Sequence, residues 1–354
     1  MDKKILSAAI AGALAGSMAF AANADVTLYG QVDVSIDSVD ADNLGAGVNG
    51  DDINMNSNQS AIGVKGSEDL GNGLKAIFML EYQIDPTGND TAASGFSGRD
   101  QWVGLQGGFG KLRFGTMSTT YKASGAMIDP FYRTSFQGRM AGLQSALHLG
   151  DGGNGEGRAT NAIGYDTPDF NGLSGAVTYS FDDACGVGTT NAVDLDACNG
   201  ADDDSYSLGA RYKNGPALVF ADYVTSDQGG ADDAWKVGGK FSFGAATVYG
   251  QYESDGGLIA NGVPGDSSTA ENEGADVWHL AASYTMGNAL LYAAYGQGDD
   301  DDAVGNTEYD AWTIAGMYNF SKRTSTYAGF TQVSEDCAGC GETDHFGIGM
   351  RHKF

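Results

Sequence analysis

The chain has 354 residues, of which 46 are Asp or Glu and 19 are Lys or Arg, so its formal net charge is −27 at pH 7. Such acidity argues against nucleic-acid binding, which requires a basic surface. After the first 24 residues, no apolar run approaches the roughly 20 residues that a membrane-spanning helix needs, so any membrane role must use strands. The 55 Gly, 5 Pro and 10% aromatic residues suit many strands joined by tight turns.

The first residues have the layout of a secretory signal peptide. Lys3 and Lys4 precede an apolar run that ends at the small-residue site Ala22-Asn23-Ala24. The alternative, a retained transmembrane helix, is disfavoured by that small-residue end and by the strand-like segment that follows. We therefore expect residues 1–24 to be a signal peptide and residues 25–354 to form one exported domain.

The following segments alternate apolar and polar residues with the period of two that is typical of strands. Residues 25–37 place one apolar row on one face, formed by Val26, Leu28, Val32, Val34 and Ile36. Residues 74–83 and 346–354 repeat the pattern. A soluble β-sandwich also alternates in this way, but here about half of every strand is polar or Gly, which leaves little to fill a dry core.

Short turns based on Gly and Asn join these strands in pairs. They occur at Leu70–Gly73, Gly107–Gly110, Asn171-Gly172, Asn214–Pro216, Phe243-Gly244, Gly287-Asn288 and Ser321-Lys322. Longer, Asp-rich connections lie between the pairs. Seven hairpins with a first and a last strand predict an antiparallel 16-stranded transmembrane β-barrel, with short turns at one end and long loops at the other.

Three hairpin segments and the final residue resemble the Gram-negative general porins of the trimeric, 16-stranded type. The segments are "QSAIGVKGSEDLGNGLKAIFMLEY", "RDQWVGLQGGFGKLRFGTM" and "AIGYDTPDFNGLSGAVTYSF", and the final residue is Phe354. The resemblance implies a homotrimer in the cell outer membrane, in contact with lipid and lipopolysaccharide, with the third loop folded into each barrel. It also implies that the last strand pairs with the first, and that Phe354 is the signal read by the barrel-assembly machinery.

Alternation assigns four basic residues to the water-filled interior. If Leu112 and Phe114 face lipid, Arg113 faces the lumen, and if Trp102 faces lipid, Arg99 faces the lumen. The same reasoning places Lys65 and Arg211 inside, because a charge in the hydrocarbon costs a few kcal/mol.

The third long connection, roughly residues 118–159, is long enough to expect a functional role. Its Asp129-Pro130-Phe131 resembles the acidic tip of the family's pore constriction, so Asp129 is expected to face Arg99 and Arg113. Arg133, Arg139 and Arg158 add positive charge there, unless each pairs with a local carboxylate.

Four cysteines fall in two later loops: Cys185 and Cys198 in the fourth, and Cys337 and Cys340 in the eighth. Export favours disulfides within each loop, but four cysteines allow three pairings, and a redox or metal role for the last pair stays open. The Asp clusters of the long loops are interpreted as solvated segments, or as a vestibule that attracts cations or binds divalent ions.

These observations favour a general diffusion porin that passes ions and small hydrophilic solutes passively, without a cofactor. The large negative charge predicts a weak preference for cations, although the basic wall opposes it. The alternatives are a substrate-specific outer-membrane channel and a barrel hydrolase. The hydrolase is disfavoured because no His has a Ser-containing motif to complete a catalytic pair.

Overall fold

The computed structural model describes residues 25–41, 52–88, 96–148, 157–181, 205–226, 233–255, 275–300, 308–336 and 341–354. These residues form 17 strand segments and one α-helix. The first strands are β1 (Asp25–Ala41), β2 (Asp52–Ser57), β3 (Ala61–Gly71), β4 (Leu74–Ile84), β5 (Phe96–Gly107) and β6 (Gly110–Ser118). The helix α1 (Thr120–Met127) and two 3₁₀ turns, Gly138–Met140 and Ala146–His148, follow.

The remaining strands run from there to the end of the chain. They are β7 (Arg158–Asp166), β8 (Leu173–Ser180), β9 (Ser205–Asn214), β10 (Ala217–Ser226), β11 (Asp233–Phe243), β12 (Ala246–Asp255), β13 (Ala275–Met286), β14 (Ala289–Asp300), β15 (Glu308–Asn319), β16 (Thr324–Asp336) and β17 (Glu342–Lys353).

The strands form one closed antiparallel sheet in which neighbours in the chain are neighbours in space. β1 closes the sheet by pairing with β17, from Gln31 opposite Lys353 to Ala41 opposite Thr343. The other edge of β1 pairs with β2 along its second half and with β3 along its first half. Because β2 and β3 share one partner in this way, they are two halves of a single wall strand, and the predicted 16-stranded barrel is confirmed.

The two faces of the sheet reverse the pattern of a soluble protein. On β1 the buried row is polar, comprising Gln31, Asp33, Ser35 and Asp37, whereas Ile36 between them is 48% exposed. Leu280 and Ile314 on later strands are 63% and 59% exposed. Apolar area on this scale is stable only in contact with hydrocarbon, so the outer face of the barrel is the lipid face.

No helix among the described residues is both long and apolar enough to cross a membrane.

The seven short turns predicted from the sequence all join consecutive strands at one end of the barrel. Their geometry explains the residues found there. Asn72 and Asn171 have positive φ angles of 52° and 57°, a conformation that Asn tolerates better than most residues. Gly215, Gly244 and Gly287 adopt the same region at the equivalent place in three other turns.

One orientation inferred from the sequence is wrong. Trp102 does not face lipid, because it packs on the buried Met117 and Ala162, and the Arg113 guanidinium lies 5.6 Å from its ring centre. The register between β4 and β5 shifts between the pairs Leu80–Gln101 and Tyr82–Gly98, so β5 contains one extra residue there. Since such a bulge reverses the alternation, Arg99 and Trp102 both point inward although three positions separate them.

Candidate pore site

The segment that follows β6, residues 119–148 and hereafter called the third-loop segment, packs against the polar inner face of the barrel. It begins with α1, whose first turn is capped by the Thr119 hydroxyl accepting from the Lys122 N–H. The Thr120 and Ser207 hydroxyls are 2.6 Å apart, which fixes the start of the helix to β9. Arg211 of β9 donates to the Ser124 hydroxyl at 3.0 Å and to the Thr120 carbonyl at 3.2 Å.

Apolar side chains complete the attachment of the third-loop segment. Phe131, Phe136 and Leu143 are fully buried and belong to one cluster with inward-facing residues of β13 to β16. The Phe131 ring lies 5.3 Å from that of Tyr292, and the Phe136 ring lies 6.2 Å from that of Tyr327. The hydrophobic core of this protein therefore lies between the segment and the barrel wall.

A buried polar group holds the two ends of the segment; it is hereafter called the latch and comprises Tyr121, Ser145, His148, Lys236 and Glu253. Glu253 of β12 accepts from the Tyr121 hydroxyl at 2.9 Å and from the Ser145 N–H at 3.1 Å. Lys236 of β11 lies 2.6 Å from His148 Nε2. Burial and the Lys236 charge lower the pKa of His148 well below its ordinary value, so its neutral ring accepts from Lys236 and donates to the Ser145 carbonyl.

A second group of charges meets at the middle of the segment. Glu81 of β4 pairs with Arg99 of β5 at 2.6 Å and with Arg133 of the third-loop segment at 2.9 Å. Arg133 has a φ of 63°, an uncommon conformation for a residue other than Gly. Two cations thus share one carboxylate.

Arg139 is 1% exposed, and its charge interacts with those of Arg99 and Arg133. Its Nε donates to Gln137 at 2.9 Å, and its guanidinium lies 5.0 Å from the ring centre of Tyr132. Its Nη2 has no hydrogen-bond partner among the described residues. Burial lowers the pKa of Arg139 to about 10, which still leaves it charged at neutral pH.

Lys122 brings a further basic group to the same place. Burial, followed by the charges of Arg139, Arg158 and Arg99, lowers the pKa of Lys122 well below its ordinary value. Arg158 pairs with Asp100 at 3.0 Å. The arginines predicted on the loop therefore gather with Arg99 in a cluster where basic groups outnumber carboxylates.

The structure places Asp129 differently from the sequence expectation. Its carboxylate accepts from the backbone N–H of Phe131 at 2.9 Å and of Gly138 at 2.8 Å, so it stabilises the fold of the segment itself. The described residues contain no ion pair between Asp129 and either Arg99 or Arg113, because Arg99 pairs with Glu81 and Arg113 with Asp166 at 3.1 Å. Burial raises the pKa of Asp129 to about 6.

Lys65 also lies on the inward row, with its Nζ 4.8 Å from the centre of the Tyr29 ring. On the other neighbour of β1, Arg351 of β17 pairs with Asp33 of β1 at 2.6 Å and donates to the Tyr132 carbonyl at 2.9 Å. Sequence reasoning recognised neither Glu81 nor Glu253 as an anchor. Alternation alone marks both as inward, but it does not show what they contact.

The four cysteines, Cys185, Cys198, Cys337 and Cys340, lie outside the described residues, as do most of the Asp clusters. The disulfides and the divalent-ion sites thus stay predictions. Within the described ranges, no group of three His, Cys, Asp or Glu side chains is arranged to hold a metal ion.

A closed barrel with an apolar outer face, a polar inner face and a long segment packed inside it defines a channel protein of the outer membrane. The chain belongs to the Gram-negative porin family, whose sequence profile matches residues 7–337. Curated relatives match along their whole length. The major outer membrane protein P.IB of Neisseria meningitidis serogroup A is 30% identical over 380 residues, with both chains fully covered. An outer membrane porin protein of Bordetella pertussis is 29% identical, again with full coverage of both.

Solved structures show the same architecture. The anion-selective porin from Comamonas acidovorans is 25% identical, with a TM-score of 0.71 over 94% of this chain and all of that one. The trimer form of OmpT, an outer membrane protein of Vibrio cholerae, has a TM-score of 0.67 at 15% identity, covering 94% of this chain and 99% of that one. The chain is therefore an outer-membrane protein with a porin fold.

Proposed function

We propose that the protein is a general diffusion porin, working as a homotrimer and passing ions and small hydrophilic solutes down their gradients. The observation that carries this proposal is the polar inner row of the barrel together with the third-loop segment packed on it. A segment held by the latch and by Arg211 narrows the lumen with fixed charged side chains. Passive diffusion through water requires no cofactor and no energy source.

The competing function is that of a barrel hydrolase. Ser145, His148 and Glu253 are the residue types of a Ser-His-acid catalytic triad and lie close together. Ser145 Oγ lies 3.3 Å from His148 Nδ1 and also donates to the Glu253 carboxylate. All three residues are fully buried, so no substrate reaches the hydroxyl. His148 Nε2 faces Lys236 instead of an acid that would orient the ring. The group therefore supports an anchoring role rather than catalysis.

Two features of the chain have opposite effects on whether the channel prefers anions or cations. The net charge of −27 predicts weak cation preference. Every Lys and Arg after residue 24, however, lies in the described barrel and third-loop segment, and Arg99, Arg133 and Arg139 converge on one place. A fixed charge acts over roughly 8 to 10 Å at physiological salt, so a passing ion responds most to the arginines it passes. The similarity to the anion-selective porin from Comamonas acidovorans supports the same direction, and we propose a weak anion preference.

The test is planar-bilayer recording of the purified, unboiled protein under a KCl gradient. Conductance that rises in three equal steps supports the trimeric open pore. A zero-current potential of the sign set by chloride supports the anion preference, and the opposite sign would restore the cation preference predicted from the net charge. Folded protein without conductance would contradict the diffusion-channel proposal.

A further inference from the structure

A basic pocket lies on the inner face of the barrel at the end that bears the short turns. Its volume is about 650 Å³, and it is lined by residues of β8 to β11, of the turns that join them, and of the end of α1. The charged side chains in its lining are three basic groups, Arg211, Lys213 and Lys240, and one acid, Asp169. Asp169 Oδ1 already accepts from the Gly172 N–H at 2.9 Å.

The strand register explains why these cations converge. Leu218 of β10 is directly opposite Lys213 of β9 on one side and Lys240 of β11 on the other. Two strand spacings therefore separate the backbones of the two lysines, which is about 10 Å. Arg211 lies on the same row as Lys213, two residues further into the barrel, about 7 Å away.

The side-chain N–H groups of the two lysines in this pocket are only partly occupied by hydrogen bonds within the protein. Lys240 Nζ donates to the Met127 carbonyl at 2.7 Å, which leaves two of its three N–H groups. The Lys213 backbone N–H donates to the Gly172 carbonyl at 2.9 Å, but its side-chain Nζ has no hydrogen-bond acceptor within the described residues. Leu218 lies between the lysines and Met127 borders the same space, so an apolar surface separates the positive groups.

We propose that this pocket, hereafter the rim pocket, binds small organic dianions in which a short hydrocarbon spacer separates two carboxylates. One carboxylate would meet Lys213 and the other Lys240, with the spacer over Leu218 and Met127. The pocket faces the lumen, so the ligand is a solute that crosses the channel. The proposal rests on the chain forming an open channel and adds a solute class to it.

The experiment measures block of the KCl current by succinate, added to one compartment at a time. The test variant is Lys213→Gln/Lys240→Gln, and its matched control is Lys322→Gln/Arg323→Gln, which removes two charges from another turn at the same end of the barrel. Acetate is the control anion, because it carries only one of the two carboxylates of the proposed ligand.

We expect succinate to block from one side at about tenfold lower concentration than from the other, and acetate to block only weakly. The lysine double variant should lose this block, whereas the control keeps it. Equal block by acetate, or equal loss in both variants, would overturn the proposal in favour of general attraction by charge. Open-channel conductance without succinate is recorded in each case, so failure of the channel itself is distinguished from failure of the pocket.

Discussion

Glu81 illustrates how single residues set the charge of the pore. Its carboxylate is nearly buried and lies within 3 Å of both Arg99 and Arg133, one from the wall and one from the third-loop segment. A buried carboxylate is stable only when cations or donors compensate it, and here it also fixes the position of two guanidinium groups. The residue thus links the position of the segment to the balance of charge.

Glu81→Gln is expected to lower stability and to strengthen anion preference. Loss of this carboxylate leaves two arginines uncompensated, at a cost on the order of 3 kcal/mol, and adds one positive charge to the lumen. Heat-modifiable gel mobility measures the first effect and the zero-current potential measures the second. Glu308→Gln removes an exposed carboxylate as a control, and an equal shift there would show that Glu81 has no special position.

Asp129 is expected to make ion selectivity depend on pH. Burial raises the pKa of Asp129 to about 6, so it is charged at pH 7.5 and mainly neutral at pH 5. Its contribution to stability is fully present below the ordinary Asp pKa and is lost as pH rises through about 6. Protonation leaves Arg139 less compensated, so anion preference should increase as pH falls. The zero-current potential of wild type and Asp129→Asn is compared from pH 7.5 to 5; identical slopes would contradict this assignment.

At the scale of elements, the third-loop segment is held by contacts far apart in the chain. Tyr121 and Ser145 stand at opposite ends of the segment, yet both contact Glu253. Lys236 likewise contacts the Tyr121 carbonyl and His148. The latch therefore brings the two ends of the segment together on the β11–β12 wall. We expect these contacts to hold the third-loop segment in one position.

Glu253→Ala is expected to release the segment. The change leaves the buried Tyr121 hydroxyl and the Ser145 N–H without their acceptor, and each unsatisfied group costs about 1 to 3 kcal/mol. Single-channel recordings should show larger current fluctuations, and limited proteolysis should cut within residues 119–148. Glu342→Ala, at an exposed carboxylate, is the control. If Glu253→Ala shows neither larger current fluctuations nor faster proteolysis, apolar packing of Phe131 and Phe136 is sufficient to hold the segment in place.

At the scale of the whole molecule, the two ends of the described chain close the barrel. The Phe354 N–H donates to the Gly30 carbonyl at 3.0 Å, and the Gly30 N–H donates to the Phe354 carbonyl at 3.2 Å. A Cβ on residue 30 would lie 2.5 Å from the Phe354 ring and 2.5 Å from the Ala61 carbonyl oxygen. Gly30 is therefore required by the close approach of the terminal ring.

The two expected roles of Phe354 are separable. Gly30→Ala displaces the ring and should lower the temperature at which the folded form is lost, while assembly continues. Deletion of Phe354 should in addition reduce the amount of folded protein in the outer membrane, if the residue is the assembly signal that the family resemblance implies. Comparing outer-membrane yield with melting temperature in both variants distinguishes the roles. Normal yield after deletion would remove the signal role and leave packing alone.

Much of the site is foreseeable from local pattern. Alternation predicts that Lys65, Arg113 and Arg211 face inward, because each falls out of phase with the apolar, lipid-facing row of its strand. Arg99 is also inward, but the reasoning through Trp102 fails, since a bulge in β5 reverses the alternation between them. A bulge depends on the register with a neighbouring strand and has no reliable mark in a single sequence.

The sequence by itself determined the barrel, its strand count and its turns, because period-two alternation and Gly or Asn turns are local properties of the chain. Only the tertiary structure decided which charges meet. Asp129 stabilises its own loop, Glu81 pairs the arginines, and Glu253 anchors the segment from more than 100 residues away. The physical reason is that ion pairs and buried hydrogen bonds depend on distance in space, which the pattern along one strand does not specify.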